Sequence, residues 1–445
     1  MIAISDELRE SIESFGDEKS LNISLQNTNI TSDLISQGSV SMTQGLSSKD
    51  NYSIGNTICT ELNFSIINNK NRYTESSFYN KDVSVEMHIK TKEGNNLQLN
   101  CGKYVCQRPT ITNSGKIDIR AFDYMIKFEI NSNKFLNTLT YPITLVEFIR
   151  KACEYVGIEH NIADDIVNAG FLIKQRPESQ KITLRNIVGM ALSIAGGNGR
   201  INTESNKFEV VYLEDSGYTV PDSVHLSTIE IEDYQIAQIG CIVASNKENR
   251  DVIYGDRDSY VYYMDSNELI YGNTDDEIVN MLGNILPKIS NIDYKPFKLH
   301  IMRGLIFLQP GDIVSYVYNG KTYKAPILER TLNGIYLEDD LAASGSEDRD
   351  RLRQDTVSSG QVSGIMSGGY DRYNLTSTKR YLDSTGTVII AMGMYHSNID
   401  KELIFKPNVF GGEYLGMETN FQDIISNTDL IDVLPDMTRI DKENI

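Results

Sequence analysis

Two stretches of the 445-residue chain repeat one amphipathic pattern. In 145–156 the apolar positions are Leu145, Phe148, Ile149, Ala152, Cys153 and Val156; in 184–195 they are Leu184, Ile187, Val188, Ala191, Leu192 and Ala195. Both sets fall at offsets of 0, 3, 4, 7, 8 and 11 residues, one face of an α-helix. Thr144 and Thr183 precede them as N-caps whose hydroxyls can accept from a free backbone N–H. Thr144 with Glu147 reads as a capping box. Gly157 and Gly196-Gly197 follow as left-handed stops. Behind the second helix, Arg200–Asn202 and Phe208–Tyr212 read as a strand pair around the turn Glu204-Ser205-Asn206. These pieces form a small α/β insert at 136–225.

On either side the period changes from 3.6 to 2. After a short helix at 5–14, the runs NISLQ (22–26), SVSMTQ (39–44), ELNFSII (61–67), VSVEMHIK (83–90), LQLNCGKYVC (97–106), KIDIRAF (116–122) and MIKFEI (125–130) predict strands. Turn residues such as Gly94-Asn95-Asn96 and Asn113-Ser114-Gly115 separate them. Strands resume over Thr228–Ala244, followed by the tyrosine-rich SYVYYM (259–264) and ELIYG (268–272). Thr274 and Glu277 form another capping box, opening a helix through Ile278, Leu282 and Ile285 to Pro287. FKLHIM (297–302) and DIVSYVY (312–318) return to strand, with Pro310-Gly311 supplying the turn before the second. Many short strands at this spacing imply a barrel or sandwich rather than a parallel sheet. Residues 346–370 are rich in Gly and Ser, as in a linker or arm; 381–418 hold at least three β-like runs, and one helical turn set around Phe421, Ile424 and Ile425 follows.

The order of these strings resembles a known family. Residues 138–160 followed by 181–213 resemble the middle of phage tail hub proteins, which sit at the distal end of the tail tube in bacteriophages and phage tail-like bacteriocins. The family pattern there is a helix ending in Gly-Ile, then ITxRxxLxxIAxxxGGxARIxxxGKLxI. This chain keeps Ile182-Thr183-Leu184-Arg185, Ala195-Gly196-Gly197, Arg200-Ile201-Asn202 and Lys207-Phe208-Glu209-Val210. It departs at Asn198-Gly199, where the family has a larger residue and then a small one, and the change reads as tolerable in a turn. Residues 30–67, with Gly38-Ser39, Ile54-Gly55 and Leu62-Asn63-Phe64, resemble the opening β-module of Gram-positive hub and tail-tip proteins. Residues 308–335 look like the last barrel strands of the same family, so the likeness covers roughly 5–340.

The resemblance implies an α+β, mainly β fold. Two hub-type β-barrel domains, 1–135 and 226–345, would flank the insert at 136–225, with a linker or arm at 346–370 and a β-rich extension at 371–445. It implies a homotrimeric ring that joins a sixfold tail tube to a threefold spike or tip. The implied partners are the tube or distal tail protein, the spike or tip protein and a tape-measure protein. Two rival readings place a receptor- or carbohydrate-binding module, or a cell-wall hydrolase, in 346–445.

Charge narrows the choice. Lys+Arg 42 against Asp+Glu 61 gives a formal net charge of −19, so phosphate attraction, and with it sequence-specific nucleic-acid binding, is not expected. Such a surface suits a channel through which DNA slides, and equally serves solubility. The start is polar and acidic, without a basic n-region or apolar h-region, and no apolar run approaches the ~18 residues that span a bilayer. Assembly in the bacterial cytoplasm is the expectation. Cys59, Cys101, Cys106, Cys153 and Cys241 are odd in number and scattered, which fits reduced thiols acting as small buried hydrophobes.

No constellation for catalysis emerges. His88, His160, His225, His300 and His396 occur in no zinc-binding spacing. Cys153 lies in the last turn of its helix, near His160, where the dipole opposes a thiolate. Cys101 and Cys106 have no second pair to complete a metal site and read as strand cysteines. Gly196–Gly199 follow a helix, whereas a phosphate cradle precedes one. Asp275-Asp276-Glu277 suit a helix start, and Glu338-Asp339-Asp340 read as structural or solvated acids beside the linker. No catalytic, cofactor or metal residue is assigned, and no enzyme activity is expected. Tyr254, Tyr260, Tyr262 and Tyr263, in a chain with 25 tyrosines and no tryptophan, are candidates for a subunit interface or the cover of a strand face.

Overall fold

The computed structural model describes residues 1–343 apart from breaks at 15–16, 26–27, 31–33, 37, 48–51, 69–72, 112–114, 179–181, 222–224, 237, 291–292, 303 and 335–337, and beyond them the strands 373–382, 388–396 and 401–405. The chain divides into two units, Met1–Gln354 and Asp355–Ile445.

The first unit begins with α1 (Asp6–Glu13), capped by the Ser5 hydroxyl, which accepts from the Leu8 N–H. Strands β1 (Glu18–Leu25), β2 (Thr28–Ile30), β3 (Ser41–Gly45), β4 (Glu61–Ile67), β5 (Asp82–Lys90), β6 (Asn96–Cys106), β7 (Thr110–Ile111) and β8 (Lys116–Asp123) follow. The run 125–130, expected as a strand, instead winds into a 3-10 turn over Tyr124–Phe128. Met125 and Phe128 are both buried there, and residues three apart share a face of a helical turn but not of a strand. Asp123 fixes the turn by accepting from the Met125 N–H (3.0 Å) and, across the sheet, from the Thr60 N–H (2.9 Å). Burial outweighs these bonds and pushes its carboxyl up to about 6.

The insert follows: α2 (Asn133–Leu136), β9 (Ile143–Thr144), α3 (Leu145–Val156), β10 (Leu172–Ile173), α4 (Leu184–Ile194), β11 (Asn198–Ile201) and β12 (Phe208–Val211). The expected apolar faces of α3 and α4 are buried, Val156 being partly so. Thr144 and Thr183 cap as expected, accepting from the Glu147 and Asn186 N–H groups. The Thr144 capping box is half formed, because the Glu147 carboxylate lies 3.4 Å from Lys151, one turn on, rather than folding back. Gly157 closes α3 at φ 69°.

Then come β13 (Glu214–Thr219), β14 (His225–Ile231), β15 (Ile239–Ser245), β16 (Asp251–Gly255), β17 (Tyr260–Tyr263), α5 (Asp275–Ile289), β18 (Phe297–Ile301), β19 (Asp312–Tyr318), β20 (Lys321–Pro326), β21 (Glu329–Asn333) and β22 (Glu338–Ala343). The run 268–272 contains a 3-10 turn, Glu268–Ile270, started by the Asn267 side chain. The Thr274–Glu277 capping box of α5 forms in both directions, and the helix passes Pro287 by two residues. None of the described helices is long and apolar enough to cross a membrane.

Mainly β is the observed class, but the two β-rich segments share one sheet. Its order is β14-β18-β22-β21-β3-β4-β8-β6-β5-β1-β2, with β7 beside β8. Neighbours throughout are antiparallel, and β3 joins the segments by pairing with β4 on one side and β21 on the other. The described pairings form an open path and contain no closed ring of strands. Alternation gives the sheet two unlike faces. Met42, Leu62, Phe64, Val85, Ile117, Leu299 and Leu341 point into the core. Thr43, Asn63, Glu86, Asp118, His300 and Asp340 have the opposite parity and remain at least partly exposed. At Gly102 (φ 111°) a bulge resets the parity of β6, so Cys101, Tyr104 and Cys106 all face inward.

The middle acid of 338–340, read as solvated or structural, proves fully buried. Asp339 and Arg330 form an ion pair whose side chains are 0% and 1% exposed. Arg330 also donates to the carbonyls of Leu305 (3.2 Å) and Leu308, and Asp339 accepts from the Leu305 N–H (3.2 Å). Burial raises the Asp339 carboxyl above its ordinary range despite the guanidinium.

The second unit contains β23 (Tyr373–Leu382), β24 (Val388–His396) and β25 (Lys401–Phe405), paired as an antiparallel meander; β24 and β25 fall in 381–418, where β-like runs were expected, whereas β23 lies almost wholly before it. The expected arm at 346–370 and the helical turn at Phe421, Ile424 and Ile425 lie outside the described residues.

Removing one member of the buried pair leaves the other charged and unmatched. Arg330→Met is expected to lower the unfolding free energy in urea by about 3–5 kcal/mol, with Arg330→Met/Asp339→Leu recovering part of the loss. A double variant as unstable as the single one would show that packing, not charge, is the main contribution.

Candidate functional site

Two of the strings singled out in the sequence meet in space. The Gly55 N–H donates to the Gly197 carbonyl (2.8 Å), and the Gly199 N–H donates to the Asn56 carbonyl (2.8 Å). Thr57 bridges Gly199 in the parallel sense. Asn198, fully buried, completes the seam: its Oδ1 accepts from the Asn56 N–H (2.8 Å) and its Nδ2 donates to the Ser53 carbonyl (3.0 Å). The departure at Asn198-Gly199 is therefore more than a tolerable turn change, because this asparagine ties together backbones 142 residues apart in sequence.

Glycines make the approach possible. A Cβ on Gly189 of α4 would lie 2.6 Å from the Gly55 carbonyl oxygen, and one on Gly55 (φ 83°) would lie 2.9 Å from that of Gly189. Arg185, one turn earlier on α4, donates through Nε to the Thr57 carbonyl (2.6 Å) and pairs with Glu129 (2.9 Å). The Tyr262 hydroxyl accepts from the Ile54 N–H (3.1 Å), bringing β17 to the same seam. Between these elements lies a cleft of about 430 Å³, lined among others by Glu129, Arg185, Met190, Tyr262 and Asp265.

The four interface candidates occupy one three-stranded sheet, β16-β15-β17. Tyr254 and Tyr262 both stand opposite Ile242, one on each side of it. Tyr254 is 41% exposed and its ring lies close to Gly283 of α5. Tyr260, Tyr262 and Tyr263 are half-buried, and Tyr260 and Tyr262 pack against the core.

The arrangement disfavours thiolate chemistry. Burial pushes the thiols of Cys59, Cys101 and Cys106 up to about 12, and that of Cys153 higher still. All five cysteines are unbridged. His88 pairs with Glu86 (3.3 Å), His300 with Asp340, and His160 bridges Phe208 through its backbone. The side chains of His225 and His396 lie outside the described residues. Among the described residues, no three His, Cys, Asp or Glu side chains gather as metal ligands. Asp275, Asp276 and Glu277 occupy the first turn of α5, as their spacing implied.

No protein-family model matches the chain, and no curated protein matches it. Its neighbours among solved structures are phage tail and baseplate proteins and type VI secretion components. The 43 kDa tail protein of prophage MuSo2 from Shewanella oneidensis aligns at 9% identity over 74% of this chain and 99% of its own, with a TM-score of 0.48. Prophage tail protein gp18 from Listeria monocytogenes aligns at 11% identity over 77% and 99%, with a TM-score of 0.44. An E. coli type VI secretion component, described as structurally similar to the T4 tail proteins gp27 and gp5, aligns at 10% over 73% and 77%, with a TM-score of 0.37. At these values the function has to be argued from the chain's own residues.

Gly189 offers a test of the seam by sign. In an ordinary exposed helix, Gly→Ala stabilises by about 1 kcal/mol. Here Gly189→Ala is expected to lower the melting temperature by several degrees, since its methyl would displace the 52–58 backbone. An unchanged or raised melting temperature would contradict the close approach.

Proposed function

We propose that this chain is a structural hub of a bacteriophage tail or tail-like particle. Three copies form a ring at the distal end of the tail tube, below the tube and above a spike or tip protein, and the ring is assembled in the bacterial cytoplasm. The resemblance of 30–67, 138–213 and 308–335 to hub proteins suggests the reading. The observation that carries it is the two-faced sheet, which runs through both β-rich segments with an apolar face on the core and a polar face opposite.

A ring with that polar face turned inward has a hydrophilic wall. Its cations are partly matched: Arg120 is held by Glu61 at 2.7 Å, which leaves little lone positive charge to retain phosphate. With a net charge of −19, the chain repels DNA rather than gripping it. The tight Asn198 seam holds the insert against the sheet, as a load-transmitting ring requires. Tyr254, Tyr260, Tyr262 and Tyr263 serve the contact between copies, where amphipathic aromatics favour interfaces. The role is mechanical and needs no cofactor.

Light scattering of the purified chain over a range of concentrations tests the assembly. The expected result is a stable species of three copies of the 50.1 kDa chain. A monomer that persists both alone and with tail tube protein present would overturn the ring.

A further inference from the structure

A second concavity, of about 600 Å³, opens on the polar face of the sheet above β4 and β8. This volume lies within the range of small-ligand sites. Its floor carries Asn63, Ser65, Asp118 and Arg120, and Tyr79 and Arg108 form one wall. We propose that this groove binds a neutral, hydroxyl-rich saccharide.

Three features carry the assignment. The first is aromatic surface on a polar sheet: Tyr79 is 50% exposed and Phe122 also lines the groove. Tyr79, half exposed with Arg108 over one side of its ring, leaves the other side as an apolar face for the C–H side of a sugar. The second is the placement of planar donors. The Arg108 guanidinium lies 5.6 Å from the Tyr79 ring centroid and pairs with Glu75 at 2.8 Å; Arg120 lies 4.8 Å from the Phe122 centroid and pairs with Glu61 at 2.7 Å. Both cations thus line the groove as planar hydrogen-bond donors, each beside a carboxylate and an aromatic ring.

The third is charge balance. Each arginine is offset by a glutamate, and Asp118, which accepts from the Ser65 hydroxyl (2.6 Å), adds a carboxylate. A phosphate or an acidic sugar would meet that carboxylate without an uncommitted cation to offset it. Hydroxyl groups instead find both donors and acceptors, in the guanidinium, amide, hydroxyl and carboxylate groups of the lining. The groove shares Asn63 and Asp118 with the face that the hub reading turns inward, but its whole lining comes from one chain, so binding by the purified chain is tested apart from ring formation.

The test uses the full chain with chitotriose and maltotriose as probes, followed by saturation-transfer NMR and calorimetry. At least one probe is expected to bind with a dissociation constant of about 1 mM. Tyr79→Ala and Asn63→Ala should each weaken binding by about tenfold with unchanged circular dichroism, and inorganic phosphate should not compete. Absence of binding of both probes at about 10 mM, binding that neither substitution alters, or competition by phosphate would overturn the proposal.

Discussion

The ion pair between Arg330 and Asp339 occupies the position on which the first unit depends. Arg330 belongs to β21, the strand that pairs with β3 and so joins the two β-rich segments into one sheet. Its guanidinium reaches past the strand to the carbonyls of Leu305 and Leu308, so the loop before β19 is tied to the same point. On the opposite face the hydroxyls of Thr43 and Thr331 meet at 3.3 Å. The join is thus fastened by charge on the dry side and by a hydroxyl contact on the polar side. Burying two charges costs several kcal/mol per ion before their attraction is counted, so the pair adds little net stability over a well-packed apolar substitute, although removing one partner alone is costly.

Much of the architecture was legible in the sequence because burial imposes its period directly. The faces of α3 and α4 could be read at offsets of three and four, and the Thr and Gly signals marked their ends within a residue. ELNFSII and KIDIRAF could be read as strands because one face of each is core. MIKFEI was misread because a short apolar run does not reveal its period, and Met125 and Phe128 settle it as helical. The join of β3 to β21 left no local trace, since its partners are 288 residues apart. Asp339 was hidden by its acidic neighbours. Strand parity was the available signal: Asp339 shares its face with Leu341 and Ala343, and Arg330 shares its own with Leu332.

Asn198 shows a different limit. In sequence it is one polar residue among glycines after a helix, the usual composition of a turn. In the structure Gly189 and Gly55 remove the Cβ atoms that would hold the 52–58 segment away from α4, and the asparagine satisfies backbone groups that the contact would otherwise leave dry. Close backbone approach and a buried amide together make a rigid joint between sheet and insert. In the proposed hub, such a joint would pass load along the tail and the polar sheet face would line the channel.

The orientation of that face is the central claim. A three-dimensional electron-microscopy reconstruction of the oligomer would test it most directly. The account predicts a threefold ring in which Thr43, Asn63 and Asp118 face the central channel. A ring that turns these residues outward, or an assembly without a channel, would contradict it.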